Sequence, residues 1–313
     1  MVGEKVPRTA RTRLAVAGAR AVTQSRFSRP NRAGRASSAL FLALILLGLG
    51  VAIAGLAAMI AWSVWRGWPR LSLDLFTNYP SSVDRASAGY RPAIIGTVMV
   101  IAGVISMIVP LGVGAALYLE EFADQNRWYN RLIDLNIQNL AGVPSIVFGI
   151  LGLAFIVRGP LDLGFVAAAG SITVGLLVLP TVIIAAREAI RAVPSSIRQA
   201  SLALGATQWQ TVWRQVLPAS FSGILTGVIL AVARAIGEAA PLLLVGAVAF
   251  VTYDPAFFSD RFTTLPVQIY DWARRAQEDF QILAAAGVIV MLALVLVMNG
   301  FAIWLRDRYE QKW

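Results

Sequence analysis

Two charged residues within an apolar stretch, Arg234 and Glu238, are the best candidates for chemistry in this sequence. Residues four apart share a face of a helix, so the pair is predicted to lie side by side. A guanidinium offers a planar fork of donors that fits an oxyanion, and Glu238 would hold that fork in position and keep the empty site neutral. The spacing therefore predicts either an oxyanion site on a transport pathway or a structural pair that locks two helices together.

The composition indicates where such a pair must lie. Hydrophobic residues make up 58% of the 313 residues and charged residues only 14%, whereas soluble proteins carry about a quarter charged residues. A charge at the centre of a membrane helix costs about 2.5–3.5 kcal/mol, so such residues face a bundle interior or a watery cavity. The sequence thus predicts a membrane protein whose few internal charges are functional or paired.

The missing residue types exclude several classes of function. The chain contains no cysteine and no histidine, which excludes disulfides, thiolate catalysis, histidine relays and metal sites that need either residue. There is no phosphate-binding sequence of the form Gly-x-x-x-x-Gly-Lys-Ser/Thr. We therefore expect no catalytic residue, no metal and no cofactor bound by this chain.

Six apolar stretches are long enough to cross a membrane as helices: 39–62, 92–119, 139–157, 164–186, 221–250 and 281–305. Because only helices satisfy their own backbone groups in lipid, the predicted fold is an all-α, polytopic bundle of six transmembrane helices. Prolines in or beside these stretches should bend or break them, either for transport or for close packing through small residues: Pro110, Pro144, Pro180 and Pro241.

The distribution of charge predicts the domain organisation. Residues 1–38 hold nine Lys and Arg against the single acid Glu4. This composition indicates a disordered cytoplasmic arm that touches lipid headgroups rather than nucleic acid. Residues 39–91 would form the first membrane helix and an external loop, 92–305 the core of five helices, and 306–313 a cytoplasmic tail. Counting Lys and Arg on each side places both termini in the cytoplasm.

A long polar loop, Arg187–Ser220, is predicted to contain two short helices. Each has a start and a stop signal, namely capping-box spacing at Ser196/Gln199 and Thr207/Gln210 and breakers at Gly205 and Pro218. The first helix would present a small apolar surface at Ile197, Ala200, Ser201 and Leu204. Such a surface suits a groove on a partner protein or an amphipathic helix lying on the membrane.

The same loop resembles the cytoplasmic loop of binding-protein-dependent ABC importer permeases. That family has Glu-Ala-Ala, three residues, Gly, nine residues, Ile, one residue and Leu-Pro. This sequence keeps Ala200, Gly205 and Leu217-Pro218, and it departs at Gln199, Ser201 and Gln215. In the family, the loop docks into a cleft of an ATPase subunit. The resemblance implies that the ATPase is coupled through Ile197, Gln199, Ala200, Leu204, Gly205, Leu217 and Pro218.

Four further segments sharpen the resemblance. The run from Ala233 to Pro241 resembles the fifth span of phosphate importer permeases of the PstA type. Tyr118 to Ala123, Gly142 to Gly149 and Ser201 to Thr207 agree with the same type. The resemblance covers roughly residues 90–305 and implies a substrate pathway at Arg234 and Glu238.

The resemblance also implies partners. They are a PstC-type permease subunit, two PstB-type ATPase subunits that would bind ATP and Mg, and a PstS-type phosphate-binding protein, all at the bacterial inner membrane. Two alternatives stay open: an ABC permease for another oxyanion or solute, and a secondary transporter that needs no ATPase.

Overall fold

The computed structural model describes residues 32–84, 87–124, 126–248 and 250–309, with side chains from Ser38 to Arg308. All regular elements in this part of the chain are helical. The helices are α1 (Arg32–Gly67), α2 (Asp74–Thr77), α3 (Arg91–Leu117), α4 (Trp128–Ala141), α5 (Ser145–Leu151), α6 (Ala167–Arg191), α7 (Ser195–Ala203), α8 (Gln208–Thr211), α9 (Leu217–Gly237), α10 (Ala240–Leu244), α11 (Leu265–Ala273) and α12 (Glu278–Tyr309). Three wider π-helical segments follow α3, α5 and α8: Tyr118–Phe122, Gly152–Val157 and Val212–Val216.

The predicted all-α membrane bundle is confirmed. Five helical stretches are long and apolar enough to cross a membrane: Ser38–Arg70, Arg91–Phe122, Ala167–Arg191, Gln208–Gly237 and Glu278–Arg308. A sixth crossing exists if one bent pair of helices is counted as a single span. Residues 1–31 of the predicted arm 1–38 lie outside the described residues. The rest of the predicted arm belongs to α1, which begins at Arg32. Residues 306–309 of the predicted tail 306–313 lie inside α12, and the other four lie outside the described residues.

The predicted third span, 139–157, is not one continuous helix, and the interruption predicted at Pro144 is confirmed. The helical stretches Trp128–Ala141 and Ser145–Val157 meet at an angle of 108°. Gly142 ends α4, and Pro144 precedes α5 with φ −57° and ψ 137°. A proline ring fixes φ and removes a backbone donor, so the helix restarts at this point in a new direction.

The other prolines act differently from one another. Pro110 and Pro180 lie inside α3 and α6, which continue past them. Pro241 stands in the first turn of α10, where a missing backbone donor costs nothing. This helix follows a short non-helical stretch after α9. The predicted fifth span, 221–250, therefore ends at Gly237 instead of running through Pro241.

The chain forms two compact units, one up to Ala61 and one from Trp62. In the first unit, all described side chains, Ser38 to Ala61 of α1, are exposed and most are apolar, as a helix in contact with lipid requires. The second unit holds the apolar core, where α6 and α9 pack closely through small residues. A Cβ added at Gly223 would lie 2.6 Å from the Cβ of Ala189. Small residues let two membrane helices approach closely enough for backbone contact.

A second apolar cluster in the same unit surrounds Tyr90. Burial raises the pKa of the Tyr90 phenol well above its ordinary value. Its hydroxyl donates to the carbonyl of Leu283 at 3.0 Å, and its ring centre lies 4.5 Å from that of Trp272. Beside it, Arg91 Nη2 lies 2.6 Å from Asp254 Oδ2. The ion pair ties the loop after α10 to the beginning of α3, and the Tyr90 contacts tie the same place to α11 and α12.

Candidate functional site

The structure keeps Arg234 and Glu238 together, although not in the predicted way. Helix α9 ends at Gly237, and Glu238 has the extended conformation φ −77°, ψ 115°. The prediction that both residues share one helical face is therefore wrong. Their side chains still meet, with 3.5 Å between Arg234 Nε and Glu238 Oε1. The acid stands at a break between two helices.

The two side chains differ in exposure. The Arg234 side chain is 44% exposed and that of Glu238 16%. The neighbouring residues Ala235 and Ile236 are buried, so Arg234 lies on the outer face of α9 within this single chain. A distance of 3.5 Å is at the outer limit of a hydrogen bond. The guanidinium is thus loosely paired and open to a ligand or to another subunit.

The break that carries Glu238 rests on α5. A Cβ added at Gly149 would lie 2.8 Å from the Cα of Pro241 and 2.8 Å from Leu244 Cδ1. The absence of a side chain at this position lets α10 lie directly on α5. The segment Gly142–Gly149, noted in the sequence for its family resemblance, thus supports the position of the charged pair.

The predicted coupling loop contains two helical segments, as expected. Helix α7 begins after Pro194 without a side-chain cap, so the predicted capping box at Ser196 is wrong. Gly205 has φ +85°, as its predicted role requires. The second capping box is confirmed. The backbone N–H of Gln210 donates to Thr207 Oγ1 at 3.2 Å, and the backbone N–H of Thr207 donates to Gln210 Oε1 at 2.9 Å.

Pro218 does not end the second helix, contrary to the prediction. It is the second residue of α9, and the segment before it, Val212–Val216, is a wider π-helical turn. The Leu217 amide donates to the carbonyl of Val212, five residues back, so the bonding pattern has already shifted where Pro218 lacks a donor. The helix therefore runs on from Gln208 to Gly237, and the same stretch carries Arg234.

All seven predicted coupling residues are at least partly exposed, and three of them, Ile197, Ala200 and Leu204, line one groove. Leu204 is 90% exposed, Gln199, Ala200 and Gly205 are exposed, and Ile197, Leu217 and Pro218 are half-buried. A groove of about 460 Å³ lies between the two helical segments, lined by Ile197, Ala200 and Leu204 on one side and by Gln210, Arg214 and Gln215 on the other. An exposed leucine beside a groove suits a protein partner better than water.

A buried ion pair, which the sequence reasoning missed, holds α7 on the bundle. Arg198 Nη2 lies 2.6 Å from Glu121 Oε1, and the same guanidinium donates to the carbonyls of Val193 and Ile190 at 2.7 and 2.9 Å. The side chains of Arg198 and Glu121 are 23% and 8% exposed. Gln208 also donates to the Glu121 carbonyl. The coupling loop is thereby fixed to the end of the helical stretch that begins with α3.

A second ionic cluster lies next to the first. Glu120, only 10% exposed, accepts from Arg191 at 2.9 Å and from Arg187 at 3.4 Å, and Arg187 also donates to Asp134. The signal in the sequence was a pair of carboxylates at the end of one apolar span and arginines at the end of another. No group of three acidic side chains in the described residues could hold a metal ion.

Comparison with known proteins gives these features a family. Residues 108–311 match the family of inner membrane components of binding-protein-dependent transport systems. The phosphate transport system permease protein PstA of Yersinia pestis is 34% identical over 252 residues, which cover 77% of this chain and 82% of that protein. The PstA protein of Haemophilus influenzae is 33% identical over 266 residues, covering 82% of this chain and 91% of that protein.

A solved structure shows the same fold. The crystal structure of a bacterial alginate ABC transporter contains a chain that superimposes with a TM-score of 0.64 at 14% identity, covering 87% of this chain and 96% of that one. At this identity the similarity shows the fold alone. The chain is a multi-pass membrane permease subunit that works with other components of an ABC transporter, and it belongs to the family of binding-protein-dependent transport system inner membrane components.

Proposed function

We propose that this chain is the PstA-type permease subunit of an ATP-driven importer of inorganic phosphate. The observation that carries the proposal is the continuous helical stretch Gln208–Gly237, because it joins the coupling groove directly to Arg234. The similarity to phosphate transport permeases at 33–34% identity supports phosphate as the substrate. An open guanidinium also offers the bidentate donors that a phosphate oxyanion prefers.

The proposed assembly contains four kinds of subunit. A PstC-type permease completes the pore, two PstB-type ATPases bind ATP and Mg, and a PstS-type protein delivers phosphate from outside. This chain has no phosphate-binding P-loop of its own, so energy must enter through the coupling surface around Leu204. The excess of Lys and Arg in the intracellular segments supports cytoplasmic N- and C-termini.

Transport follows from two kinds of contact. When the ATPases close, they displace α7 and α8, and the Arg198–Glu121 pair carries this displacement to α3. The continuous helical stretch carries it to Arg234 at the far end. There, phosphate competes with Glu238 for the guanidinium, which the carboxylate holds at only 3.5 Å. Glu238 positions the empty site and favours release of the anion when the pathway opens to the cytoplasm.

The test uses the purified complex in vesicles, with radiolabelled phosphate and ATP supplied on the ATPase side. We expect ATP-dependent uptake that a tenfold excess of unlabelled phosphate removes and that the same excess of sulfate or molybdate leaves unchanged. Equal competition by sulfate or molybdate would assign the chain to another oxyanion. Uptake that persists without the ATPase subunits would identify a secondary transporter.

A further inference from the structure

A polar cavity lies between α4 and the end of α6, and it shares no lining residue with the coupling groove and does not include Arg234. It has a volume of about 230 Å³, and its polar lining consists of Asn130, Arg131 and Asp134 from α4 and Arg187 and Arg191 from α6. The cavity can hold a group of the size of a phosphate ester. Three arginines and one carboxylate line it, so its lining carries a net positive charge.

Two of the three arginines are already occupied. Arg187 pairs with Glu120 and Asp134, and Arg191 pairs with Glu120 and with Glu188, which is 66% exposed and screened by water. Arg131 makes no side-chain hydrogen bond or ion pair to any residue that the structure describes. The cavity therefore keeps one cation free for an anionic ligand.

Asn130 adds a second unsatisfied group. The residue is 5% exposed, and its Nδ2 donates to the carbonyl of Asp124 at 2.9 Å. Its Oδ1 is buried without a hydrogen-bond partner in the described structure. This oxygen is not exposed to the cavity that Asn130 lines, so a ligand can donate to it only after the side chain turns, and because a buried acceptor left unpaired is costly, that turn would be stabilised. A suitable ligand combines a phosphate for Arg131 with a hydroxyl for Asn130.

An apolar cleft lies beside the polar cavity, along the same two helices, α4 and α6. The polar cavity and this cleft together are called the seam. Its volume is about 500 Å³, and its lining includes Ile137 and Leu140 of α4 and Leu176, Pro180 and Ile183 of α6. The lining positions of α6 in the cleft and in the polar cavity recur every three or four residues, so they form one stripe along that helix. Ile183 is only about 6 Å along the helix axis from Arg187, the first arginine of the polar cavity.

Part of the cleft lining, and the helix face beside it, is exposed at the surface of this chain. The floor residues Phe148 and Ile156 are buried, whereas Phe155 is 57% exposed on the rim. On the outer side of α4, Trp128 is 75% exposed and Leu132 50%. A helix with an exposed apolar face and polar residues behind it suits the membrane interface.

We propose that this seam binds one anionic phospholipid of the phosphatidylglycerol class. The phosphate accepts from Arg131, a headgroup hydroxyl donates to Asn130 Oδ1, and an acyl chain lies in the cleft against Leu176 and Ile183. Along α6 the lining of the seam changes from arginines to apolar residues. A phospholipid changes in the same way, from a charged headgroup to an apolar acyl chain. Bound there, the lipid fills the angle between α4 and α6 beside the coupling end of the bundle.

Native mass spectrometry of the purified full-length chain in detergent, with phosphatidylglycerol or phosphatidylcholine added, tests the site. We expect one retained phosphatidylglycerol per chain and at least fivefold less retained phosphatidylcholine. Arg131→Gln should reduce phosphatidylglycerol retention at least fivefold, whereas the matched variant Arg308→Gln on the exposed end of α12 should not. Leu176→Trp, which fills the cleft, should also reduce retention, and Leu230→Trp on the exposed face of α9 should not.

Three results would overturn the proposal. Equal retention by wild type and both seam variants would show that the lipid binds elsewhere. Displacement of the lipid by millimolar inorganic phosphate would show a site for free anion. Loss of the lipid when the chain is assembled with a second permease subunit would show that a protein occupies the seam. Circular dichroism of each variant distinguishes loss of the site from loss of the fold.

Discussion

The two charged regions of this chain are built in opposite ways. At the coupling end, Arg198 is bound by Glu121 and by two backbone carbonyls, and both side chains are largely buried. At the candidate substrate site, the one polar contact of the Arg234 side chain among the described residues is that of 3.5 Å to Glu238, and the side chain is 44% exposed. A firmly bound arginine can transmit a displacement, whereas a loosely bound one can exchange its carboxylate for a passing anion.

The backbone shows the same contrast. The coupling loop is held by a complete capping box at Thr207 and Gln210 and by a left-handed glycine at Gly205. Glu238 lies in an extended break between α9 and α10. The comparison predicts that substitutions at the substrate site abolish transport while the complex stays assembled, and that substitutions at the coupling end separate ATP hydrolysis from transport.

Arg234→Gln should have the largest effect on uptake. The substitution removes the charge and the planar fork that we assign to phosphate, so ATP-dependent uptake should fall at least a hundredfold, to background. Co-purification of the partner subunits should be unchanged, because Arg234 makes no contact with the coupling surface. Arg274→Gln, on the surface after α11, is the matched control. Wild-type uptake in the Arg234 variant would remove this residue from the pathway.

Gly205→Val should weaken the contact with the ATPase. At φ +85°, a side chain costs about 1–2 kcal/mol, and a β-branched residue is the least tolerated there. Because the added side chain meets nothing within 4 Å, the effect acts through the backbone. We expect uptake about tenfold lower with less ATPase co-purified, and a much smaller loss for Gly205→Asn, since asparagine tolerates this conformation. Equal uptake by the valine variant and wild type would argue against a coupling role for this turn.

Arg198→Gln should uncouple ATP hydrolysis from phosphate transport without stopping the hydrolysis. Removal of one partner of a largely buried ion pair leaves Glu121 unpaired and costs about 3 kcal/mol of stability. ATP hydrolysis by the complex should continue, while the amount of phosphate transported per ATP falls severalfold. The double variant Arg198→Gln, Glu121→Gln, which removes both charges, should recover part of the thermal stability. A fall in ATP hydrolysis and uptake in equal proportion would assign Arg198 a purely structural role.

Gly149→Ala should disturb the substrate site from a distance. The added Cβ would lie 2.8 Å from the Cα of Pro241, so α10 must shift and carry the Glu238 break with it. We expect uptake two- to fivefold lower, with the change mainly in the concentration of phosphate that gives half-maximal uptake. Gly114→Ala, where an added Cβ meets nothing within 4 Å, serves as the control. Identical effects of the two variants would contradict the packing argument.

The smallest effect is expected at the Arg91–Asp254 pair. The hydrogen bond from Arg91 lowers the pKa of the Asp254 carboxyl below its ordinary value of 3.8. The pair therefore stabilises the folded state at pH values above the ordinary pKa. This contribution is lost as the pH falls through the lowered pKa of the folded state. Asp254→Asn should lower the thermal midpoint slightly at neutral pH and by a smaller amount at pH 3, which is below the ordinary pKa of the carboxyl. The same difference at both pH values would show that the charge is unimportant.

Much of the fold follows from the sequence for a simple physical reason. A long apolar stretch in lipid has few alternatives to a helix, so the number and type of the elements could be predicted. The capping box at Thr207 and the left-handed Gly205 could be predicted because they depend only on neighbouring residues. The prolines were harder, since the effect of Pro218 depends on a shift in bonding that starts at Val212.

The site was only partly predictable. The spacing of Arg234 and Glu238 indicated a pair, but not the break that places Glu238 outside the helix, because that break depends on how α10 packs against Gly149. The Arg198–Glu121 pair joins residues 77 positions apart, and no local pattern in the sequence connects them. Their proximity is a property of the folded bundle.

We propose that ATP hydrolysis by a separate subunit drives phosphate through this chain by way of the coupling loop. The most direct measurement is phosphate uptake by vesicles that contain both permease subunits, with the ATPase subunits and ATP present or omitted. We predict uptake only when ATPase and ATP are both present, and loss of uptake in the Leu204→Asp variant, in which the exposed leucine of the loop becomes charged. Equal uptake with and without the ATPase subunits would contradict the claim.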